Sequence, residues 1–338
     1  MNEFTARKGA QLPAGDISVF FPVMPARPAD VIGFAELVRD TSLTRLWMGQ
    51  SLTLDTNQVF SHLAGQGLCI PVGTAVTVMA LRHPYEAAAS ARSVAALTGE
   101  SVIAGFGPGG ANFVRSLRGS TYESPLTASR EYVSLVREAL TGETVRRDGR
   151  YHVLHGALPT LPFGNPPVHV GLGVLRPGMA RLAGEVADAA ITWLTPLPYL
   201  RDTLLPALRE GARSQDRSLP RVVSLVHFAV DRPDRDSRAL VLAANRMHLS
   251  SEHYTSMLRG AGVQADPADV NAGAEALVEN QVFVTGSAGE IAERIREYFR
   301  SGVDEVVLSP SGVLVRHGIE AALIDLRAVL AELEHDHV

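Results

Sequence analysis

The chain has 338 residues, 46% of them hydrophobic and 20% charged, with a net charge of −5. That balance argues against a polyanion-binding surface and supplies enough apolar residues for one large α/β domain or two smaller ones. Cys69 is the only cysteine, so no internal disulfide can form and a reducing compartment, the cytoplasm, is expected.

Residues 1–15 lack the apolar core of a signal peptide. No run approaches the roughly 20 apolar residues of a membrane span. Residues 17–21 (ISVFF) read as a first strand, and Val31, Ile32, Ala35, Leu37 and Val38 give helical spacing over 28–38. Residues 43–48 are a second strand, whose end, Trp47-Met48-Gly49-Gln50-Ser51, belongs at the mouth of any barrel; 53–64 look helical. Residues 72–80 are an apolar, β-branched run and predict a buried strand. An Ala-rich helix opened by Pro84 and closed by Gly99 follows, then a strand over 101–106 that runs into Gly107-Pro108-Gly109-Gly110. Strand, helix, strand without alternation in the strands is a parallel βαβ unit. The glycines are not a G-x-G-x-x-G in register, and Pro108 removes an N–H that a phosphate cradle needs.

Residues 114–125 are polar and read as irregular, and 127–140 as a helix with Glu131 in an N-terminal capping role. Residues 143–165 form a loop or hairpin excursion. A strand over 167–171 leads through a turn into a helix over 178–186; strands at 188–193 and 222–230 flank a helix at 199–210. Residues 231–281 break the rhythm with one amphipathic piece at 237–249, and read as a long insertion that acts as a lid or substrate wall. A helix at 288–299, a strand at 304–309 and a helix at 318–333 complete the chain. The count is eight buried strands alternating with helices. That is a single (β/α)8 TIM barrel with insertions after strands 4 and 7; an open doubly wound sheet also alternates.

In a barrel the site lies at the C-terminal ends of the strands. Gly171-Leu172-Gly173-Val174-Leu175-Arg176-Pro177-Gly178-Met179 follows a strand and opens a helix, so its free N–H groups suit a phosphate and Arg176 could add charge. Trp47 and Trp193, the only tryptophans, both end strands and suit stacking on a ring. His227, His83 and His155 are candidate proton donors. No H-E-x-x-H, P-loop or G-x-S-x-G motif is present, and no metal is expected.

The order G-T-A-V-T-V, R-H-P, Ala-rich helix, short strand, G-F-G-P-G-G resembles the bacterial-luciferase-like superfamily of flavin- and deazaflavin-dependent oxidoreductases. The resemblance continues in 171–193 and 283–310. It implies a luciferase-like barrel that binds F420 or, alternatively, FMN. It places a cis peptide at Ala75-Val76 behind the ring, with Thr77, Gly105, Gly107 and Asn112 nearby, and the cofactor tail near Gly171–Met179. Dehydrogenases of that superfamily carry an Asp-His pair after the second strand and a Glu after the glycine loop; Gln50-Ser51 and Gly110 stand there instead. Without a base for a hydroxyl proton, the resemblance implies a reductase of a C=C or C=N bond, with Trp47, Gln50, Ser51 and His227 as candidate catalytic residues. The substrate is a small molecule or a modified peptide. The partners implied are a cofactor-reducing enzyme and a second copy in a homodimer; nucleic acid and membrane are not expected. An FMN monooxygenase and a barrel without activity are the other readings.

Overall fold

The computed structural model describes residues 15–335, so the amino-terminal stretch read above for a leader lies outside the described residues. Alternation within short apolar strands builds the barrel. In β1 (Asp16–Phe21), Phe20 packs into the barrel interior while Ile17, Val19 and Phe21 pack outward against helices. The same division holds in β2 (Leu46–Met48), where Trp47 points in and Leu46 and Met48 point out.

After β2 come β3 (Val72–Thr74) and β4 (Thr77–Val78), then β5 (Val102–Gly107). β6 (Val145–Asp148) and β7 (Val153–Gly156) form an antiparallel hairpin. β8 (Val168–Val174), β9 (Ala189–Trp193), β10 (Arg221–Val230), β11 (Phe283–Gly286) and β12 (Glu305–Ser309) follow. β1, β2, β3, β5, β8, β9, β10 and β12 pair in that order, all parallel, and β12 returns to β1. The ring is a closed (β/α)8 barrel.

The helices before the first excursion are α1 (Ile32–Asp40), α2 (Thr56–Gly65), α3 (Pro84–Thr98), α4 (Ala111–Arg118) and α5 (Pro125–Leu140). Then come α6 (Pro177–Val186) and α7 (Leu197–Tyr199), which runs through a π turn into α8 (Leu205–Ser214). The insertion after β10 holds α9 (Ser237–Leu249), α10 (Glu252–Gly260) and α11 (Val270–Glu279). α12 (Ala288–Arg300) and α13 (Ser311–His335) close the fold, with α13 broken at Gly318, φ 88°.

Four differences from the sequence expectations have physical reasons. The run 72–80 is not one strand: it is interrupted at Ala75-Val76, whose peptide bond is cis. The segment 114–125 is partly helical: α4 is a short surface helix whose apolar face is only Phe113, Val114 and Leu117, with Val114 alone buried, too brief a pattern to read among polar neighbours. Glu131 does not cap α5; the Ser124 side chain does. The Glu131 carboxylate instead accepts the backbone N–H groups of Arg150, Tyr151 and His152 and closes the turn of the hairpin. The insertion is ordered into three helices, and β11 adds to the far end of β10 from His227 to Val230. Asp325 of α13, fully buried, pins the start of that insertion by accepting from the Val230 N–H and from the guanidinium groups of Arg232 and Arg235. Among the described residues no helix is long and apolar enough to cross a membrane.

Candidate active site at the barrel mouth

The barrel interior is layered. At its floor, the N-terminal end of β12, Glu305 is fully buried. It accepts hydrogen bonds from Ser18 Oγ at 2.7 Å, Trp47 Nε1 at 2.7 Å and Arg221 Nε at 2.9 Å. Arg45 reaches across to the carbonyls of Val72 and Ser101. Above the floor lies a small apolar layer that includes Phe20, Trp47, Ile103, Ile191, Val223 and Leu225. Trp47 is therefore a plug of the barrel core. Its indole is completely buried and its one donor is committed to Glu305, so it does not reach a substrate.

The mouth is shaped by glycines. A Cβ on Gly105 would lie 2.1 Å from the Thr74 carbonyl oxygen, and one on Gly171 2.8 Å from Ile191 Cδ1. One on Gly107 would lie 2.8 Å from Val76 Cγ2, and one on Gly173 3.4 Å from Val76 Cγ1. The bare backbones of β5 and β8 thus let the broken third strand press directly against them. Thr74 fixes this approach, accepting from the Gly105 N–H at 2.9 Å and donating to its carbonyl at 3.1 Å. Ala75 is buried in the barrel layer, whereas Val76, Thr77 and Gly173 stay partly exposed. Leu172 and Val174 point outward into the helix layer, so only their backbones belong to the mouth.

Gln50 and Ser51 sit beside this bulge in structural roles. The Gln50 amide accepts the Val78 N–H at 3.2 Å and donates to the Ser51 carbonyl at 2.7 Å. Ser51 Oγ pairs with Thr53 Oγ1 at 3.1 Å. Neither side chain is a base. The helix entry after β8 starts one residue earlier than expected, at Pro177, with Gly178 exposed and Met179 half-buried. Arg176, the residue before it, has no side-chain cap bond; its guanidinium leaves the turn for α10, reaching the His253 carbonyl at 3.1 Å and Ser256 Oγ at 2.5 Å. α4 also begins without a side-chain cap, at exposed Gly110, and Asn112 lies exposed in its first turn.

Trp193 and His227 meet at the other side of the mouth. Their rings are 4.8 Å apart and edge-on. His227 Nδ1 shares a 2.9 Å hydrogen bond with Ser311 Oγ, and its Nε2 has no partner among the described residues. Burial, with His248 close by, pushes its pKa down to about 3, so the imidazole is neutral at pH 7 and is not a protonated acid. The other candidate donors are placed elsewhere. His83 caps α3 and bonds the Val153 carbonyl; His155 pairs with Asp148 on the exposed hairpin. His248 and Asn245, on α9, were not singled out in the sequence. The spacing Val241, Asn245, Leu249 on one helical face carries the signal, since it puts an amide in a core row. Among the described residues no three His, Cys, Asp or Glu gather as metal ligands.

A closed parallel barrel with a glycine-seated bulge and an aromatic wall at its mouth defines a (β/α)8-barrel protein with a candidate site at the C-terminal ends of its strands. The luciferase-like monooxygenase family matches residues 5–305, and the chain belongs to it. It is 27% identical over 223 residues to the 5,10-methylenetetrahydromethanopterin reductase of Methanolobus tindarius, covering 65% of this chain and 67% of that protein. It is 27% identical over 280 residues to the F420-dependent glucose-6-phosphate dehydrogenase of Mycobacterium avium (strain 104), covering 78% of this chain and 80% of that one. The structure of the coenzyme F420 dependent tetrahydromethanopterin reductase from Methanopyrus kandleri superposes with a TM-score of 0.68 at 18% identity, over 94% of this chain and 99% of that one.

Proposed function

We propose that the chain is an F420-dependent reductase that delivers hydride to a C=C or C=N bond. The observation that carries this reading is the engagement of Gln50 and Ser51. Where an alcohol dehydrogenase needs a base, these side chains are neutral and already bonded to Val78, the Ser51 carbonyl and Thr53. The relatives named above support the cofactor.

The residues present fit a flat, phosphate-bearing group. Val76, Thr77, Gly173 and Trp193 offer a partly exposed and largely apolar wall for a ring. The uncapped starts of α4 and α6 offer backbone N–H groups for an anionic tail. Reduced F420, when bound, supplies the hydride. The chain positions the ring against Val76, keeps water off the aromatic side of the mouth with Trp193, and leaves the completing proton to solvent. The substrate is a small molecule or a modified peptide, and a separate enzyme returns the cofactor to its reduced form.

A second reading, an FMN-dependent monooxygenase, is favoured by the family's description and by the mouth's uncharged aromatic side around Trp193. Parallel titrations with F420 and FMN, followed by cofactor fluorescence, separate the two. Tight binding of F420 alone supports the reductase. Preference for FMN, with oxygen uptake on reduced FMN, moves the monooxygenase to first place. Binding of neither sinks both.

A further inference from the structure

Buried polar atoms without partners are rare in folded proteins and ask for an explanation. Several gather around one indole here. Trp193 Nε1, His227 Nε2 and His248 Nδ1 are all buried and have no hydrogen-bond partner among the described residues. The Trp193 ring lies 4.8 Å from His227 and 5.4 Å from His248. Asn245, one turn before His248 on α9, is fully buried with both its amide oxygen and its nitrogen unpaired.

These groups come from separate elements. Trp193 ends β9, His227 lies in β10, and Asn245 and His248 belong to the insertion. A local folding need does not explain their meeting, because apolar side chains of similar size would pack there without an unpaired group. Their chemistry is also uniform. Burial lowers His248 to about 4, and burial together with His248 lowers His227 to about 3; no carboxylate, lysine or arginine enters either balance. The cluster is neutral. It offers the obligate donor of an indole, two imidazoles that can donate or accept, and an amide that does both.

We propose that Trp193, His227, Asn245 and His248 form a substrate subsite for an uncharged carbonyl group, a ketone, ester or carboxamide, attached to the bond that is reduced. The attachment to a reduced bond rests on the reductase reading; the subsite itself does not. The indole N–H needs an acceptor oxygen, and a carboxamide would also satisfy an accepting group such as Asn245 Oδ1. A carboxylate or phosphate ester would enter without a counter-charge and is rejected. Because the polar atoms are sealed from solvent, entry of the group requires α9 to shift off Trp193.

The test titrates wild-type protein, Asn245→Leu and His248→Phe with cyclohexenone, crotonamide, crotonate and glycerol phosphate, with and without F420. Tryptophan fluorescence reports Trp193, since Trp47 is sealed in the barrel. Wild type is expected to bind the two uncharged carbonyl probes at least about tenfold more tightly than the two anions, and each variant to lose about tenfold, as for one hydrogen bond. The melting temperature of the unliganded variants is expected to hold or rise, because a partnerless polar group is replaced by an apolar one. A merely structural role would lower it and leave probe affinity unchanged. No carbonyl binding by wild type, preference for an anion, or unchanged binding in both variants overturns the proposal. Titration of F420 in the same samples keeps the two readings apart: carbonyl binding without F420 binding sinks the cofactor reading alone, and the reverse sinks the subsite alone.

Discussion

The His227 imidazole stands edge-on to the Trp193 indole with ring centroids 4.8 Å apart, and neither its Nε2 nor the indole Nε1 has a partner among the described residues. Burial of this kind makes the histidines acid-sensitive. An unfolded histidine binds its proton near pH 6.5, whereas native His227 and His248 do so near 3 and 4. The unfolded chain therefore holds more protons below about pH 6.5, and stability is lost as pH falls from there toward the native values. The two histidines together should cost roughly 2–3 kcal/mol between pH 7 and about pH 5.5. Urea unfolding at the two pH values checks this. His248→Phe should lose about half as much; an equal loss would assign the acid sensitivity to other groups.

The glycine floor predicts a compensating pair. Alanine at Gly107 would meet only the side chain of Val76, at 2.8 Å from Cγ2, whereas alanine at Gly105 would meet the Thr74 carbonyl at 2.1 Å. Gly107→Ala should therefore cost about 1–2 kcal/mol by overpacking. The double variant Gly107→Ala, Val76→Ala should recover most of that, a coupling that denaturation midpoints read directly. Gly105→Ala should cost more, and trimming Val76 should not help. Additive losses at Gly107 and Val76 would mean the two do not press on each other.

Much of this architecture was legible because the barrel strands are short, mostly apolar runs, as in 222–230 where only Ser224 and His227 are polar, separated by amphipathic helices. The break at Ala75-Val76 was legible only through the resemblance, since the residues on both sides remain apolar and β-branched. Trp47 misled because a tryptophan at a strand end looks like a mouth residue, yet in a strand of three residues its pleat aims it down at Glu305. His248 was missed because its value comes from the packing of α9 on Trp193, a long-range contact that no local pattern encodes, whereas Asn245 left a local trace as an amide in the buried row Val241, Asn245, Leu249.

Arg176 carries the third prediction. Its guanidinium is bound to the α10 backbone and to Ser256 rather than held over the start of α6. Arg176→Ala should free α10, so limited proteolysis within residues 250–260 should speed up. F420 affinity should change by less than about threefold, as for an exposed charge that touches no ligand. A loss of tenfold or more that fades as salt is raised would instead place the guanidinium on the cofactor tail.

The floor gives the last prediction. Glu305 is sealed among three donors, with Arg45 Nε 3.9 Å away, so its charge is balanced by two guanidinium groups from β10 and the start of β2. Glu305→Gln would leave the buried Arg45 without its ion-pair partner in a low-dielectric site, Arg221 keeping Asp16, and should cost roughly 3 kcal/mol. Ser18→Ala, which removes one neutral donor to the same carboxylate, should cost about 1 kcal/mol. Equilibrium unfolding distinguishes the two. Cofactor affinity of the folded Glu305→Gln protein should match wild type, because Phe20 and Trp47 lie between this end of β12 and the mouth. A loss of affinity at unchanged stability would show that the floor charge is felt at the mouth.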